Sequence, residues 1–109
     1  MHEYLDYLEK REKDFQMRKK EYFEEIAQIA KRFGGKAYVF GSYIKGESLP
    51  GSDVDVLVIV PNNVDRLQVL YELREKIRNR KLEFHVLNED EGILFLSMLD
   101  KYIELNVEK

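Results

Sequence analysis

The sequence predicts an α/β domain in which helices and strands alternate along the chain. Residues 3–33 contain neither proline nor glycine and carry apolar side chains at helical spacing. Residues 54–60 form an almost unbroken apolar run, which is typical of a central strand covered on both faces. Residues 82–87 alternate between apolar and polar side chains, as a half-buried strand does. The 109 residues suffice for one domain with one modest core.

The first element is a long N-terminal helix whose two halves differ. Apolar side chains recur every seven residues, at Leu8, Phe15, Tyr22 and Ile29. Charged side chains at Glu12 and Lys19 stand where a continuous apolar seam would need hydrophobic ones. We therefore expect the second half to pack against the core and the first half to be more exposed. Gly34 and Gly35 end the helix, as a left-handed cap does.

The remaining elements follow in chain order. They are a strand at 37–40, a helical turn at 43–46, a strand at 54–60, a helix at 64–80, a strand at 82–87 and a helix at 90–100. Residues 101–107 fit either a frayed helix or a short strand. The single domain, 1–109, divides into the N-terminal helix (1–33), a core that carries the chemistry (36–88) and a C-terminal helix and tail (89–109).

The composition limits the kinds of site and partner. The chain has no cysteine, which excludes disulfide bonds and zinc sites built on cysteine. The net charge is −3 and both signs are interspersed, so nucleic acid is not an expected partner. No apolar run approaches the roughly 20 residues that span a bilayer. The first residues also lack a signal-peptide pattern, and we expect a cytoplasmic protein.

Two carboxylates open the most apolar strand. Successive strand residues face opposite sides of a sheet, so Asp53 and Asp55 are expected to share a face, about 6.5–7 Å apart along the strand. Two like charges at this spacing raise each other's pKa unless a cation is bound. Mg²⁺ prefers one or two protein carboxylates together with phosphate oxygens. The pair therefore predicts a magnesium site.

A glycine-serine turn lies shortly before these carboxylates. Gly41 and Ser42 come directly after the strand at 37–40. Glycine lets the backbone approach a phosphate closely, and the serine hydroxyl and backbone N–H groups can donate to its oxygens. A helical turn at 43–46 would add a favourable dipole, and Lys45 would add a positive charge. The turn therefore predicts a triphosphate site beside the metal.

A third carboxylate would complete a site for two metal ions. Glu83 lies on the strand at 82–87, on the same face as His85. If this strand lies beside residues 54–60, Glu83 reaches the same cleft, either as a metal ligand or as the general base on an attacking hydroxyl. Two divalent ions about 3.5–4 Å apart would then stabilise the attacking and leaving oxygens of an in-line displacement.

The order Gly-Ser, ten residues, Asp-x-Asp resembles the signature of the DNA polymerase β-type nucleotidyltransferase superfamily. The small size resembles its minimal nucleotidyltransferases. The matching positions are Gly41, Ser42, Gly46, Ser52, Asp53 and Asp55. Segments 36–60 and 82–88 carry the resemblance, which covers about half of the chain. The superfamily's third carboxylate is commonly an aspartate, and the matching position here is Glu83.

The resemblance implies a small mixed β-sheet with helices packed on one face. It also implies Mg²⁺-dependent transfer of a nucleoside monophosphate, which we expect to be AMP from ATP. Nucleotide binding is expected of Gly41, Ser42, Lys45, Gly46 and Ser52. Catalysis and metal binding are expected of Asp53, Asp55 and Glu83.

The resemblance also suggests an acceptor. Many minimal members resemble antitoxins paired with a helical HEPN-type RNase, and some of them transfer AMP to a tyrosine of that toxin. We expect a partner protein of this kind, because the chain has no room for a large acceptor-binding domain of its own. The long N-terminal helix is a candidate surface for docking or for a homodimer. Two alternatives stay open: an antitoxin that acts by contact alone, and a stand-alone transferase acting on a small molecule or RNA.

Overall fold

Helices and strands alternate in the computed structural model, which describes residues 2–107. They are α1 (His2–Arg32), β1 (Lys36–Phe40), α2 (Ser42–Lys45), β2 (Val54–Val60), α3 (Arg66–Lys76), β3 (Leu82–Asn88), α4 (Glu89–Ser97) and β4 (Tyr102–Leu105). The predicted α/β class is confirmed. The segment at 101–107 that the sequence left open contains a strand, because β4 pairs with β1.

The four strands form one mixed sheet in the order β3-β2-β1-β4. β1 runs antiparallel to both β2 and β4, whereas β2 and β3 are parallel. Parallel neighbours need a crossover connection, and α3 supplies it. The register pairs Asp55 with Phe40 on one side and with Glu83 on the other. The end of β1 and the starts of β2 and β3 therefore lie side by side.

The larger core lies between one face of the sheet and the helices α1 and α3. The valines of β2 that alternate with Asp55 are all fully buried in it, at Val54, Val56, Val58 and Val60. Phe15 and Ile26 of α1 and Leu73 of α3 pack against them and are equally inaccessible to solvent. The expectation of a central strand directed into the core is confirmed.

A smaller core covers the opposite face. Leu57 and Ile59 of β2 pack there with Phe95 and Leu96 of α4. Gly92 lets α4 approach the sheet, because a Cβ at this position would lie 2.7 Å from an Ile59 side-chain carbon. Helices α1 and α3 thus share one face of the sheet, as expected, whereas α4 lies on the other face, which the expectation of helices on one face did not include.

Helix α3 is shorter than the predicted span of 64–80. It begins at Arg66, because the Asp65 carboxylate caps it by accepting the Leu67 N–H at 3.0 Å. It ends at Lys76, because Ile77 takes an extended conformation and is buried in the core. Helix α4 likewise ends at Ser97, before the predicted limit of 100.

The two halves of α1 differ as the sequence predicts. Its buried side chains begin at Phe15 and continue to Ala30. None of residues 2–14 is buried, and the contacts of this half are largely polar. No helix within residues 2–107 is long and apolar enough to cross a bilayer.

Candidate functional site

The glycine-serine turn lies directly against the second aspartate of the motif. Gly41 has φ +84° and ψ −157°, a backbone conformation that is essentially restricted to glycine. A Cβ at Gly41 would lie 2.7 Å from Oδ2 of Asp55. Ser42 begins α2, and its carbonyl accepts the Glu47 N–H at 2.9 Å. The antiparallel pairing of β1 with β2 therefore brings both parts of the motif to one edge of the sheet.

Asp55 is oriented by the smaller core. Its Oδ1 lies 3.3 Å from Nε2 of His85, and its side chain is 30% exposed. The imidazole packs between aromatic rings, with the centroid of Phe40 at 5.5 Å and that of Phe95 at 6.5 Å. His85 is thus a direct partner of a predicted metal ligand, a role that the sequence left unassigned.

Asp53 is held by the N-terminal helix. It lies one residue before β2, so the alternation of the strand does not by itself fix its direction. Its Oδ1 forms an ion pair of 3.0 Å with Nη2 of Arg11, which also donates to the Gly51 carbonyl at 3.2 Å. The Arg11 side chain is only 13% exposed, against 43% for Asp53. The polar half of α1 therefore reaches into the predicted site.

A buried lysine supports the loop that leads to Asp53. Lys81 is 1% exposed, and its ammonium donates to the carbonyls of Ser52 at 2.6 Å and Pro50 at 3.3 Å. It also forms an ion pair of 2.7 Å with Glu12 of α1. Burial raises the pKa of the Glu12 carboxyl, but the hydrogen bonds and charges of Lys81, Gln16 and Arg11 together outweigh burial and hold that pKa below its ordinary value.

Sequence reasoning missed Arg11 and Lys81. A lysine before an apolar strand and an arginine on a polar helix face both look like solvated residues. One signal was present: Glu12 occupies a position where the apolar row of α1 calls for a hydrophobic side chain. A charge at a core-facing position predicts a buried partner of opposite sign, although not which one.

The other predicted residues are placed less centrally. Glu83 is exposed and lies beside Asp55 in the register of β2 and β3. Lys45 forms an ion pair of 3.3 Å with Asp100. Gly46 caps α2 with φ +75°. The Ser52 hydroxyl accepts the Leu49 N–H at 3.2 Å and closes the loop before Asp53.

The aspartate pair fits a divalent cation by its chemistry. Both are carboxylates with appreciable exposure, and glycine at position 41 leaves open the space beside Oδ2 of Asp55. Arg11 and His85 each contact only one oxygen of their aspartate. Glu83 does not join them in a preformed cluster, because residues 2–107 contain no group of three His, Asp or Glu side chains arranged to hold a metal.

Comparison with known proteins gives a family match over most of the chain. The model of the nucleotidyltransferase domain family matches residues 19–98. Poly(A) polymerase PAPa of Candida albicans is 50% identical over 48 residues, which are 41% of this chain and 9% of that enzyme. Poly(A) polymerase pla1 of Schizosaccharomyces pombe is 41% identical over 54 residues, which are 50% of this chain and 10% of that enzyme. The matched part thus amounts to about a tenth of these relatives.

Two solved structures share the fold. One is a protein from Sulfolobus solfataricus designated a nucleotidyltransferase, with a TM-score of 0.58 and 23% identity, covering 86% of this chain and 85% of that one. The other carries the same designation and has a TM-score of 0.55 and 23% identity, covering 84% of this chain and 99% of that one. At this level of identity the similarity establishes the fold alone.

Proposed function

Because this chain belongs to the nucleotidyltransferase domain family, we propose that it is a Mg²⁺-dependent enzyme that transfers AMP from ATP to a hydroxyl group of a partner protein. Family membership supports nucleotidyl transfer in general. The observation that carries the specific proposal is the close approach of Gly41 to Asp55, where an added Cβ would lie 2.7 Å from Oδ2, because it puts the turn proposed for the triphosphate beside a carboxylate proposed for the metal.

The proposed nucleotide site is built around the turn after β1. Backbone N–H groups at Gly41 and Ser42, and the Ser42 hydroxyl, would donate to phosphate oxygens. Lys45 would exchange its exposed partner Asp100 for a phosphate, which is a small cost because exposed ion pairs contribute little. Gly46 and Ser52 would shape the turns on either side of the nucleotide.

Asp53 and Asp55 would hold the magnesium, with Glu83 as a third ligand or as the general base. Bound there, Mg²⁺ would neutralise charge on the phosphates as the bond to the leaving group breaks. Glu83 would take the proton of the acceptor hydroxyl, whose oxygen forms a bond to the α-phosphorus while the bond from that phosphorus to the bridging oxygen breaks and pyrophosphate leaves. His85 would keep Asp55 in place, as outer-shell partners do.

An apolar groove beside the site supports a protein acceptor. It has a volume of about 420 Å³, and its apolar lining comes from Leu5 and Leu8 of α1 and from Pro50 and Gly51 of the loop before Asp53. The charged residues Glu9, Glu12 and Lys13 of α1 also line it. Leu49 of the same loop is exposed. Grooves of this kind receive the apolar face of a partner helix. We propose that a helical HEPN-type protein docks here and presents the accepting side chain in the cytoplasm, where ATP and Mg²⁺ are available.

The proposal is tested with the isolated protein, Mg²⁺, ATP labelled at the α-phosphate and a purified HEPN-type protein. Label should appear on that protein, and Asp55→Asn should abolish the transfer. Asp6→Asn is the matched control, because it makes the same chemical change at an exposed position of α1 outside the site. Transfer that survives in Asp55→Asn would contradict the assignment of the metal site.

A second candidate is an antitoxin that acts by contact alone. It is favoured by the lack of a three-carboxylate cluster within residues 2–107 and by the ion pair that occupies Oδ1 of Asp53. Stable binding of the HEPN-type protein without transfer of label would support this candidate. Sedimentation of the protein alone tests the competing use of α1 as a homodimer surface.

A further inference from the structure

Lys81 forms hydrogen bonds with the residues on either side of Asp53. The Lys81 ammonium donates to the carbonyl of Ser52, the residue before Asp53, at 2.6 Å. The Lys81 backbone carbonyl accepts the N–H of Val54, the residue after Asp53, at 2.7 Å. One residue therefore fixes the backbone immediately before and after a proposed metal ligand.

The loop ahead of Asp53 has few other restraints. Its internal hydrogen bonds are the pair between Leu49 and Ser52 and the weak contact of the Ser48 hydroxyl with the Leu49 carbonyl at 3.4 Å. The side-chain hydrogen bonds that tie residues 50–53 to the rest of the protein are those of Lys81 to Pro50 and Ser52, and of Arg11 to Gly51 and Asp53. These two cations therefore make the polar contacts that hold the loop.

A buried ammonium group is a costly way to stabilise a fold. Removing a charge from water is unfavourable, and an apolar side chain of similar volume often serves stability equally well. Lys81 is compensated by Glu12, by two carbonyls and by the ring of Phe15, whose centroid lies 5.7 Å from Nζ. What lysine provides and an apolar residue cannot is the simultaneous hold on two loop carbonyls.

We propose that Lys81 is a positioning residue that fixes Asp53 for metal binding. This inference rests on the proposed function, since it requires Asp53 to bind the divalent ion. Lys81 is 1% exposed and its ammonium is taken up by Glu12 and the two loop carbonyls, so we expect it to act without contacting nucleotide or metal. It acts through the Ser52 carbonyl and the Val54 N–H, and it links the loop to Glu12 of α1.

The test measures Mn²⁺ binding from the spectroscopic signal of free Mn²⁺, together with thermal stability. Loss of an outer-shell partner typically weakens metal affinity by about 10–100-fold, so Lys81→Met should bind Mn²⁺ at least about tenfold more weakly than the unmodified protein. Ile29→Ala is the control, because it removes buried volume from α1 far from the loop. It should lose stability and keep its Mn²⁺ affinity.

Chemical rescue separates the charge from packing. The chain has no cysteine, so Lys81→Cys can be alkylated with bromoethylamine at this one position in the unfolded state and then refolded. The product restores an ammonium group at nearly the original distance from the backbone. Its Mn²⁺ affinity should recover, whereas unmodified Lys81→Cys should stay about tenfold weaker.

The outcomes distinguish this inference from the proposed function. Failure of the unmodified protein to bind Mn²⁺, or binding unaffected by Asp53→Asn and Asp55→Asn, overturns the proposed metal site. Normal binding by folded Lys81→Met, or an equal loss in Ile29→Ala, overturns the role of Lys81 alone. If Lys81→Met does not fold, the comparison of alkylated with unmodified Lys81→Cys is made in a stabilising osmolyte. An alkylated protein that folds but binds weakly also overturns it.

Discussion

Asp53 and Asp55 stand two residues apart in the chain, and their side chains take partners from opposite ends of the sequence. Asp53 pairs with Arg11 of the N-terminal helix at 3.0 Å. Asp55 contacts His85 of β3 at 3.3 Å and lies against Gly41 at the end of β1. The first aspartate thus depends on a polar helix-to-loop contact, and the second depends on the register of the sheet.

The two kinds of support respond differently to change. Strand register is fixed by buried valines on the opposite face of β2, and a slip by one residue would move all of them to the other face and turn Asp55 into the larger core. On the Asp53 side, by contrast, the contacts of Arg11 and Lys81 hold an irregular loop that no strand pairing fixes. We therefore expect the structure around Asp53 to be lost under milder conditions than the structure around Asp55. A partner that docks on α1, as proposed, should displace Asp53 before Asp55.

The largest expected effect comes from removing either carboxylate. Asp55→Asn and Asp53→Asn should each lower nucleotidyl transfer by about 10³-fold, because lost charge stabilisation by the metal is worth ~4 kcal/mol in such reactions. Steady-state rates and Mn²⁺ titration measure this. Equal loss in both variants supports a shared ion. If one variant keeps normal Mn²⁺ affinity, that aspartate is not a ligand.

Apart from substitutions of the aspartates themselves, Gly41→Ala should have the largest effect on the metal-binding geometry of Asp55. The conformation of Gly41 costs a residue with a Cβ about 1–3 kcal/mol, and the new Cβ would also displace the Asp55 carboxylate. We expect lower stability and roughly tenfold weaker Mn²⁺ binding.

Gly34→Ala provides the matched control for Gly41→Ala. Gly34 also has a positive φ, +80°, but the nearest atom to an added Cβ is a Pro61 side-chain carbon at 3.4 Å. Urea unfolding should show a loss of about 1 kcal/mol with unchanged Mn²⁺ affinity. Equal Mn²⁺ affinity in both variants would show that the approach of Gly41 to Asp55 does not matter for the metal.

Arg11→Met tests the other side of the comparison with a smaller expected effect. The guanidinium repels an incoming cation and occupies Oδ1 of Asp53. Its removal should therefore tighten Mn²⁺ binding by a few-fold, and added salt should reduce the difference. Stability should fall by no more than about 1 kcal/mol, because the Asp53 carboxylate is 43% exposed and stays hydrated when its partner is removed. Weaker Mn²⁺ binding would instead show that Arg11 orients Asp53, as Lys81 does.

The sequence predicted the Asp55 side well because local patterns determine it. The apolar run at 54–60 and the alternation at 82–87 identify β2 and β3, and the motif singles out Gly41, although as the residue that approaches a phosphate; the structure places it against Asp55. The strand β4 could not be chosen over a frayed helix, because four residues carry too little periodicity. Its pairing with β1 decides the conformation.

The contacts around Asp53 could not be predicted from the sequence, because they join residues that are far apart in the chain. Arg11 and Asp53 are 42 residues apart, and no local pattern marks an arginine on a polar helix face as a partner of a loop. Glu12 breaks the apolar row of α1 and was the available clue. Its partner Lys81 could not be identified without the path of the chain between α3 and β3.

The smallest expected effect is a loss of stability in acid that is confined to the Asp53 side. Burial raises the pKa of both the Glu12 and the Asp14 carboxyl. Lys81, Gln16 and Arg11 together outweigh burial at Glu12, and Tyr22, Asn79 and Arg18 together outweigh it at Asp14, so both pKa values are held low. A lowered pKa in the folded state means that the unfolded chain binds more protons, so this stability is present above the ordinary values of 4.5 and 3.8 and is lost below them.

The total should be smaller than the effects above, because solvent screens the charge of Asp14. Urea unfolding midpoints between pH 7 and pH 3 measure this loss of stability. Glu12→Gln should reduce the fall of the midpoint in acid, whereas the control Glu75→Gln, at an exposed position, should leave it unchanged. Hydrogen exchange then locates the change. Amides of 11–14 and 49–53 should lose protection at a higher pH than those of β2. If both regions lose amide protection at the same pH, the two aspartates belong to one cooperative unit. The difference between the polar contacts that hold Asp53 and the strand pairing that holds Asp55 would then not affect the site.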